Sequence, residues 1–380
     1  MTTATSAPEP AHRPAALDAA TSNKLRALAM VGILAVIVGH SPSYRDPSAV
    51  SQRSFGYAWI EFLLSDAIPR VFVMVFFTVS GFLLLYGHDG SAGAWRRKLG
   101  ARSRSLLLPY LVWSLLGLLI YFVLQTLPFT AKWFANGNRL VVGRSGYELL
   151  LFWLVDPIPY QLWFLRDLFL MVLCGPLLLW LLRRFGWSVP ALLLVPYYLD
   201  VHIDSPVPDI RFLTSDCYLF FAVGGAVAVR GTLPRPPQRA VLPLCGLAMG
   251  LAGWRAWMLA AYWPLVPGSP QWQQHLLVWK TVYLVGVPAV WFAYDRWLRW
   301  LERPFWVSVS GLSFFVFVAH EPFMTMLRKP LTKAFGAGDL QHALQLVTSL
   351  LGTVVLVFAA GALLRRWLPR TFAFLCGGRA

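Results

Sequence analysis

Four apolar stretches, far apart in the chain, each carry ionisable side chains. His40 closes "KLRALAMVGILAVIVGH" and Arg70 opens "RVFVMVFFTVSGFLLL". Arg166 and Asp167 sit in "YQLWFLRDLF", and His320 and Glu321 in "SGLSFFVFVAHEPF". A charged group at the middle of a membrane helix costs on the order of 2.5–3.5 kcal/mol, so such residues are read as functional by default. An imidazole, with an unperturbed pKa of about 6.5, exchanges protons at neutral pH. A guanidinium at the same depth stabilises negative charge. A second group lies elsewhere: "WRRKLGARSRSLLLPYLVW" holds Arg96, Arg97, Lys98, Arg102 and Arg104 within nine residues. Arginine forks match phosphate oxygens two at a time, which makes this a candidate anion site.

Each residue also has a plainer reading. Arg70, Arg166 and Lys280 suit snorkelling to headgroups. Arg166 and Asp167 suit a charge pair at a helix start, where Asp meets the positive helix end. His320 suits a capping or interfacial role, and His40 a buried, hydrogen-bonded histidine. The basic cluster suits simple cytoplasmic anchoring. The joint placement of His40, Arg70, Arg166, Asp167, His320 and Glu321 in one layer favours function over coincidence.

That layer exists only if the stretches are membrane helices. The chain has 380 residues, 57% of them hydrophobic and 13% charged, the latter about half the share of a soluble domain. Apolar runs near the ~20 residues needed to cross a bilayer recur along its length. The expected fold is therefore all-α and polytopic. Ten spans are expected near 25–43, 68–87, 105–127, 161–182, 188–201, 213–229, 240–261, 276–295, 304–325 and 342–364, the fifth short and cut by Pro196. Residues 55–67, apolar but with Glu61 and Asp66, read as an interfacial helix. With both termini cytoplasmic, twenty Lys and Arg fall in inside segments against nine outside, in line with the positive-inside rule. On that topology Arg26 marks the inner end of the first span. It lies 14 residues before His40, about 21 Å along the axis and about 40° off the same face.

Residues 1–22 read as a disordered cytoplasmic lead without a cleavage site, 23–366 as the membrane domain and 367–380 as a cytoplasmic tail. A nucleic-acid partner is set aside, because the formal net charge of +16 is that of basic cytoplasmic loops. Cys174, Cys217, Cys245 and Cys376 are scattered and show no metal-ligand spacing. No internal repeat or pair of broken helices is legible, which weighs against a transporter or flippase for an anionic or lipid-linked solute. A membrane scaffold in a polysaccharide assembly complex is a third class, distinguished by the absence of turnover.

The segments together resemble the membrane acyltransferase type 3 family, and within it the surface-polysaccharide O-acyltransferases. "LRALAMVGILAVIVGH" is similar to the family's first-span Arg followed by an apolar run and His. "RVFVMVFFTVSGFLLL" is similar to its Arg, Phe-Phe and Ser-Gly-Phe pattern, and "RSRSLLLPYLVWSLL" to its Arg-x-Arg and Pro-Tyr pattern. "LWFLRDLFLMVLCGPLL" and "SFFVFVAHEPF" resemble its Leu-Trp-Phe-Leu and late-span His segments. The resemblance spans roughly residues 23–366, in the family's order. Thirteen residues separate Arg26 from His40 where the family usually has ten, which adds about 4.5 Å of helix. Met74 stands where related members often have Pro.

The resemblance implies a ten-span fold in the cell (inner) membrane, a cytoplasmic acyl-CoA donor, acetyl-CoA foremost, and a carbohydrate acceptor on the other side, polymeric or lipid-linked. It implies an essential role for His40 and CoA-phosphate binding by Arg102 and Arg104, with Arg26 a further candidate. For that chemistry His40 serves as base or as brief acyl carrier. Arg70 and His320 join it as catalytic candidates, and Trp163, Arg166 and Asp167 are the acceptor-binding candidates. Membrane lipids complete the expected partners.

Overall fold

The computed structural model describes residues 17–41, 53–135, 139–204, 211–235, 237–336 and 338–379. The first helix, α1 (Ala19–His40), starts where the Asp18 carboxylate accepts the Thr21 amide at 2.6 Å, satisfying one of the orphan donors of a helix N-terminus. The expected disordered lead of residues 1–22 thus gives way to helix by Ala19, and its residues 1–16 lie outside the described part.

Next come α2 (Phe55–Phe62) and α3 (Ile68–Leu85), joined through a π-helical turn at Leu63–Ala67. They form one helical stretch, Phe55–Leu85, so residues 55–67 are not a separate interfacial helix. The reason lies in its polar groups. Glu61 pairs with Arg53, and Asp66 pairs with Arg70 and with Arg255 of α12 (Gln238–Tyr262), so the carboxylates are satisfied inside the protein. The Trp59 indole also donates to Gly253 O at 3.0 Å.

A similar π turn at Ser103–Leu107 links α4 (Ala92–Arg102) to α5 (Leu108–Thr126). Then follow α6 (Pro128–Phe134), α7 (Gly146–Leu154), α8 (Trp163–Leu173), α9 (Gly175–Phe185), α10 (Ser188–Tyr198) and α11 (Ser215–Arg230). A short antiparallel pair, β1 (Ile203–Asp204) and β2 (Arg211–Phe212), precedes α11. Beyond α12 lie α13 (Pro270–Ala293), α14 (Pro304–Ser310), α15 (Ser313–Phe335), α16 (Asp339–Trp367) and α17 (Pro369–Leu375).

In lipid every backbone polar group must be paired within the protein, which helices achieve on their own. Among the described residues six helical stretches are long and apolar enough to cross a membrane, or eight if each bent pair counts once. The bent pairs are Tyr160–Leu173 with Gly175–Phe185, at 59°, and Pro304–Ser310 with Ser313–Thr332, at 53°. Broken helices, unseen in the sequence, are therefore present. The protein is an all-α, multi-pass membrane protein.

The centre is built on α3 against α11. A Cβ at Gly81 would sit 2.0 Å from Phe221 O, and one at Gly224 would sit 1.8 Å from Thr78 O. Small residues let membrane helices approach closely enough for backbones to touch, and here nothing larger than glycine fits. Lys280 is fully buried and bonds Asp200 at 2.7 Å and Asp216 at 2.8 Å, so it does not snorkel. The segment past 366 is not free. Phe372 and Cys376 are buried, and the Trp113 indole donates to Leu375 O at 3.0 Å.

Candidate active site

The last residue of α1 meets the middle of α15, 280 positions away: His40 Nδ1 lies 2.9 Å from His320 Nε2. His320 is fully buried, and its Nδ1 lies 2.7 Å from Phe317 O and 3.2 Å from Val316 O. Carbonyl oxygens only accept, so the proton of a neutral His320 sits on Nδ1 and its Nε2 is an acceptor. His40 must then donate from Nδ1, which leaves the lone pair of a neutral His40 on Nε2. This chain of two hydrogen bonds fixes the tautomer that a general base requires. Tyr160 packs edge-on against His40, with ring centres 4.9 Å apart, and its hydroxyl donates to Glu321 Oε1 at 3.1 Å. Glu321 interrupts α15 with φ −101° and ψ 134°, turning its side chain from the helix path toward Tyr160. Arg328 donates to His40 O at 3.0 Å.

A cavity of about 980 Å³ reaches along α1 and is lined by Arg26 near one end and His40 at the other. Seven arginines line it, against a single carboxylate, Asp156, among the described lining residues. Arg70 lines it from the first turn of α3, its Nε held by Asp66 at 2.6 Å. Arg166 lines it as well, gripped by Asp167 at 2.7 Å and by Arg211 O at 3.2 Å, with Phe212 under its guanidinium at 4.2 Å. Trp163 contributes to the same wall.

Two of the sequence candidates near the His40 end stand behind the wall. His320 orients His40 without lining the cavity. Asp167 is fully buried and spends its second oxygen on the Leu213 amide at 3.1 Å, so it holds Arg166 and the β2 end in place. At the other end Arg102 lines the cavity, whereas Arg104, two residues on, is exposed and not part of the lining.

Sequence reasoning missed Tyr160, Gln161, Arg379 and the Arg139–Asp156 pair, 3.3 Å apart, all of which line the cavity. Tyr160 and Gln161 stand three and two residues before Trp163 in a segment already singled out, so adjacency was the available signal. Arg379 carries none, since it follows the last apolar run. Among the described residues no three His, Cys, Asp or Glu side chains group to hold a metal.

Comparison with known proteins identifies relatives of the whole chain. The succinoglycan biosynthesis protein ExoH of Rhizobium meliloti (strain 1021) is 24% identical over 365 residues, covering 94% of this chain and 91% of that protein. No solved structure matches. The sequence profile of the type 3 acyltransferase domain matches residues 23–366, which contain α1 through α16 apart from their outermost turns, with His40, Arg70, Arg102 and His320 among them. The chain belongs to the type 3 acyltransferase family.

Proposed function

We propose that this protein takes an acyl group, acetyl foremost, from cytoplasmic acyl-CoA and transfers it to a hydroxyl of a cell-surface polysaccharide or its lipid-linked precursor, near the outer face of the cell membrane. The family supports acyl transfer, and the likeness to a succinoglycan biosynthesis protein supports a polysaccharide acceptor. The observation that carries the reading is one cavity with an oriented histidine at one end and arginines at the other. Adding α10 and α11 to the eight spans gives ten crossings. Both termini then face the cytoplasm, and the cavity runs from the cytoplasmic Arg26 to the outer His40.

In this reading Arg26 and Arg102 hold the phosphates of the donor, and the thioester arm extends toward His40. His40 Nε2 takes the proton of the acceptor hydroxyl as its oxygen attacks the thioester carbonyl. The resulting oxyanion is stabilised by Arg70 or Arg166, whose guanidiniums are already held in position by carboxylates. Collapse expels CoA as the thiolate, which recovers the proton from His40. Trp163 offers a face to the sugar ring. Asp167 and His320 act through the residues they hold.

The two bent spans are a feature that a transporter or flippase would share. Membranes bearing the protein, supplied with acetyl-CoA labelled in its acetyl group, separate the two readings. Label entering carbohydrate or lipid-linked sugar supports the transferase. No transfer from any acyl-CoA, with crude acceptors present, overturns it in favour of the transporter.

A further inference from the structure

Three arginines from three separate elements line the end of the cavity away from His40: Arg26 of α1, Arg102 at the end of α4, and Arg379 beyond α17. Arg379 lies outside the family-matched residues 23–366. Among the described residues Arg26 and Arg102 make no hydrogen bond or ion pair, and Asp156, the one carboxylate of the lining, is committed to Arg139. Arg26 is exposed and Arg102 and Arg379 are half-buried, so all three stay open to a ligand in the cavity. Guanidinium forks facing one cavity, with no uncommitted carboxylate among the described lining residues, suit a multiply charged anion.

Arg379 is held firmly. One guanidinium nitrogen donates to Ser105 O at 2.8 Å and to Cys376 O at 3.1 Å, and the group lies 3.8 Å above the Phe314 ring. Gly377 lies so close to the turn after α4 that a Cβ on it would meet Arg104 O at 2.5 Å, and its φ of +66° favours glycine besides. Phe372 stacks near Phe315, with ring centres 5.6 Å apart, and fastens α17 beneath this contact. Burial, with the Arg102 charge beside it, lowers the Arg379 pKa to about 10, so it remains a cation at neutral pH. The C-terminal segment thus closes the turn that carries the basic cluster and adds a fixed guanidinium to it.

We propose that Arg379, delivered by the packed C-terminal segment, completes with Arg26 and Arg102 a phosphate-binding cradle that holds the nucleotide phosphates of the CoA thioester. This rests on the donor reading given above, and it assigns to residues 369–379 a part in donor binding.

The test is CoA affinity of the full chain in phosphatidylcholine nanodiscs, for the parent, Arg379→Gln, Arg379→Lys and the exposed control Arg184→Gln. Loss of a charge-assisted contact to phosphate is expected to weaken CoA binding about tenfold or more in Arg379→Gln. Arg379→Lys should recover part of the loss, and Arg184→Gln should match the parent. CoA lacking its 3′-phosphate should bind the parent more weakly and lose less on substitution. Arg379→Gln also loses the bonds to Ser105 O and Cys376 O, so a modest fall in melting temperature is expected, while Phe372 and the Trp113–Leu375 bond keep α17 docked. If that variant proves unfolded, the Arg379→Lys comparison decides alone.

Equal CoA affinity in the parent and either Arg379 variant overturns the cradle while leaving the donor reading intact. Failure of the parent to bind CoA overturns the donor reading and the cradle with it. A lipid phosphate is the other source of the same chemistry. Phosphatidylglycerol that co-purifies with the parent but not with Arg379→Gln, with CoA affinity unchanged, would assign the cations to lipid and overturn the proposal.

Discussion

At the scale of the residue, the proposed transfer turns on how one imidazole is held. His40 has its Nδ1 committed to His320, and His320 is itself committed to two carbonyls of its own helix. His320→Ala removes the orienting acceptor but leaves the base in place. Transfer is expected to fall about 10- to 100-fold in kcat, the scale seen when the group that orients a functional histidine is lost. CoA affinity and acceptor KM should stay near the parent, and His320→Asn should restore part of the rate by keeping an acceptor for Nδ1. An equal fall in kcat and CoA affinity would mark His320 as merely structural. His40 was legible in the sequence because a lone imidazole in an apolar run has few innocent explanations. Its partner's role was not, because which of two histidines lines the cavity depends on a contact across 280 residues. Asp167 shows the same limit: the sequence marks a buried carboxylate, and only the Leu213 amide shows that both oxygens are taken.

At the scale of the element, the site depends on α3 lying flush against α11, since Arg70 is carried on the first turn of α3. Gly224→Ala forces a methyl group into Thr78 O and should lower stability by about 1–3 kcal/mol, the usual cost of overpacking. Gly246→Ala meets nothing within 4 Å and should be neutral or slightly stabilising. Thermal melts in matched nanodiscs check both, and equal melting of the two variants would contradict the close-packed interface. Helix positions were largely readable from apolar runs. The continuity of Phe55–Leu85, the bends near Cys174 and Gly311, and the packed segment after 366 were not. The first and last are decided by tertiary partners, Arg255 for Asp66 and Trp113 for Leu375, and the bends of 59° and 53° leave no mark in an apolar run. The Ser80-Gly81-Phe82 motif was noticed in the sequence without its reason, which is the Phe221 carbonyl.

At the scale of the whole molecule, the arrangement is polarised: Arg26, Arg102 and Arg379 at one end of a cavity, an oriented histidine at the other. In a background with its four cysteines replaced, Arg104→Cys should react with an impermeant maleimide from the cytoplasmic side, and Arg144→Cys should react from the opposite side. Labelling of both from one side would contradict ten crossings with cytoplasmic termini. The same polarity bears on the proposal that His40, as general base, drives transfer of an acyl group whose donor enters from the far side of the membrane. The direct measurement uses proteoliposomes with the cytoplasmic face outward, acetyl-labelled acetyl-CoA outside and acceptor carbohydrate enclosed. The parent is expected to place label on the enclosed acceptor, and His40→Ala to do so at least about 10²-fold more slowly at unchanged CoA affinity. Equal labelling by both proteins, or label confined to acceptor on the donor side, would contradict the account.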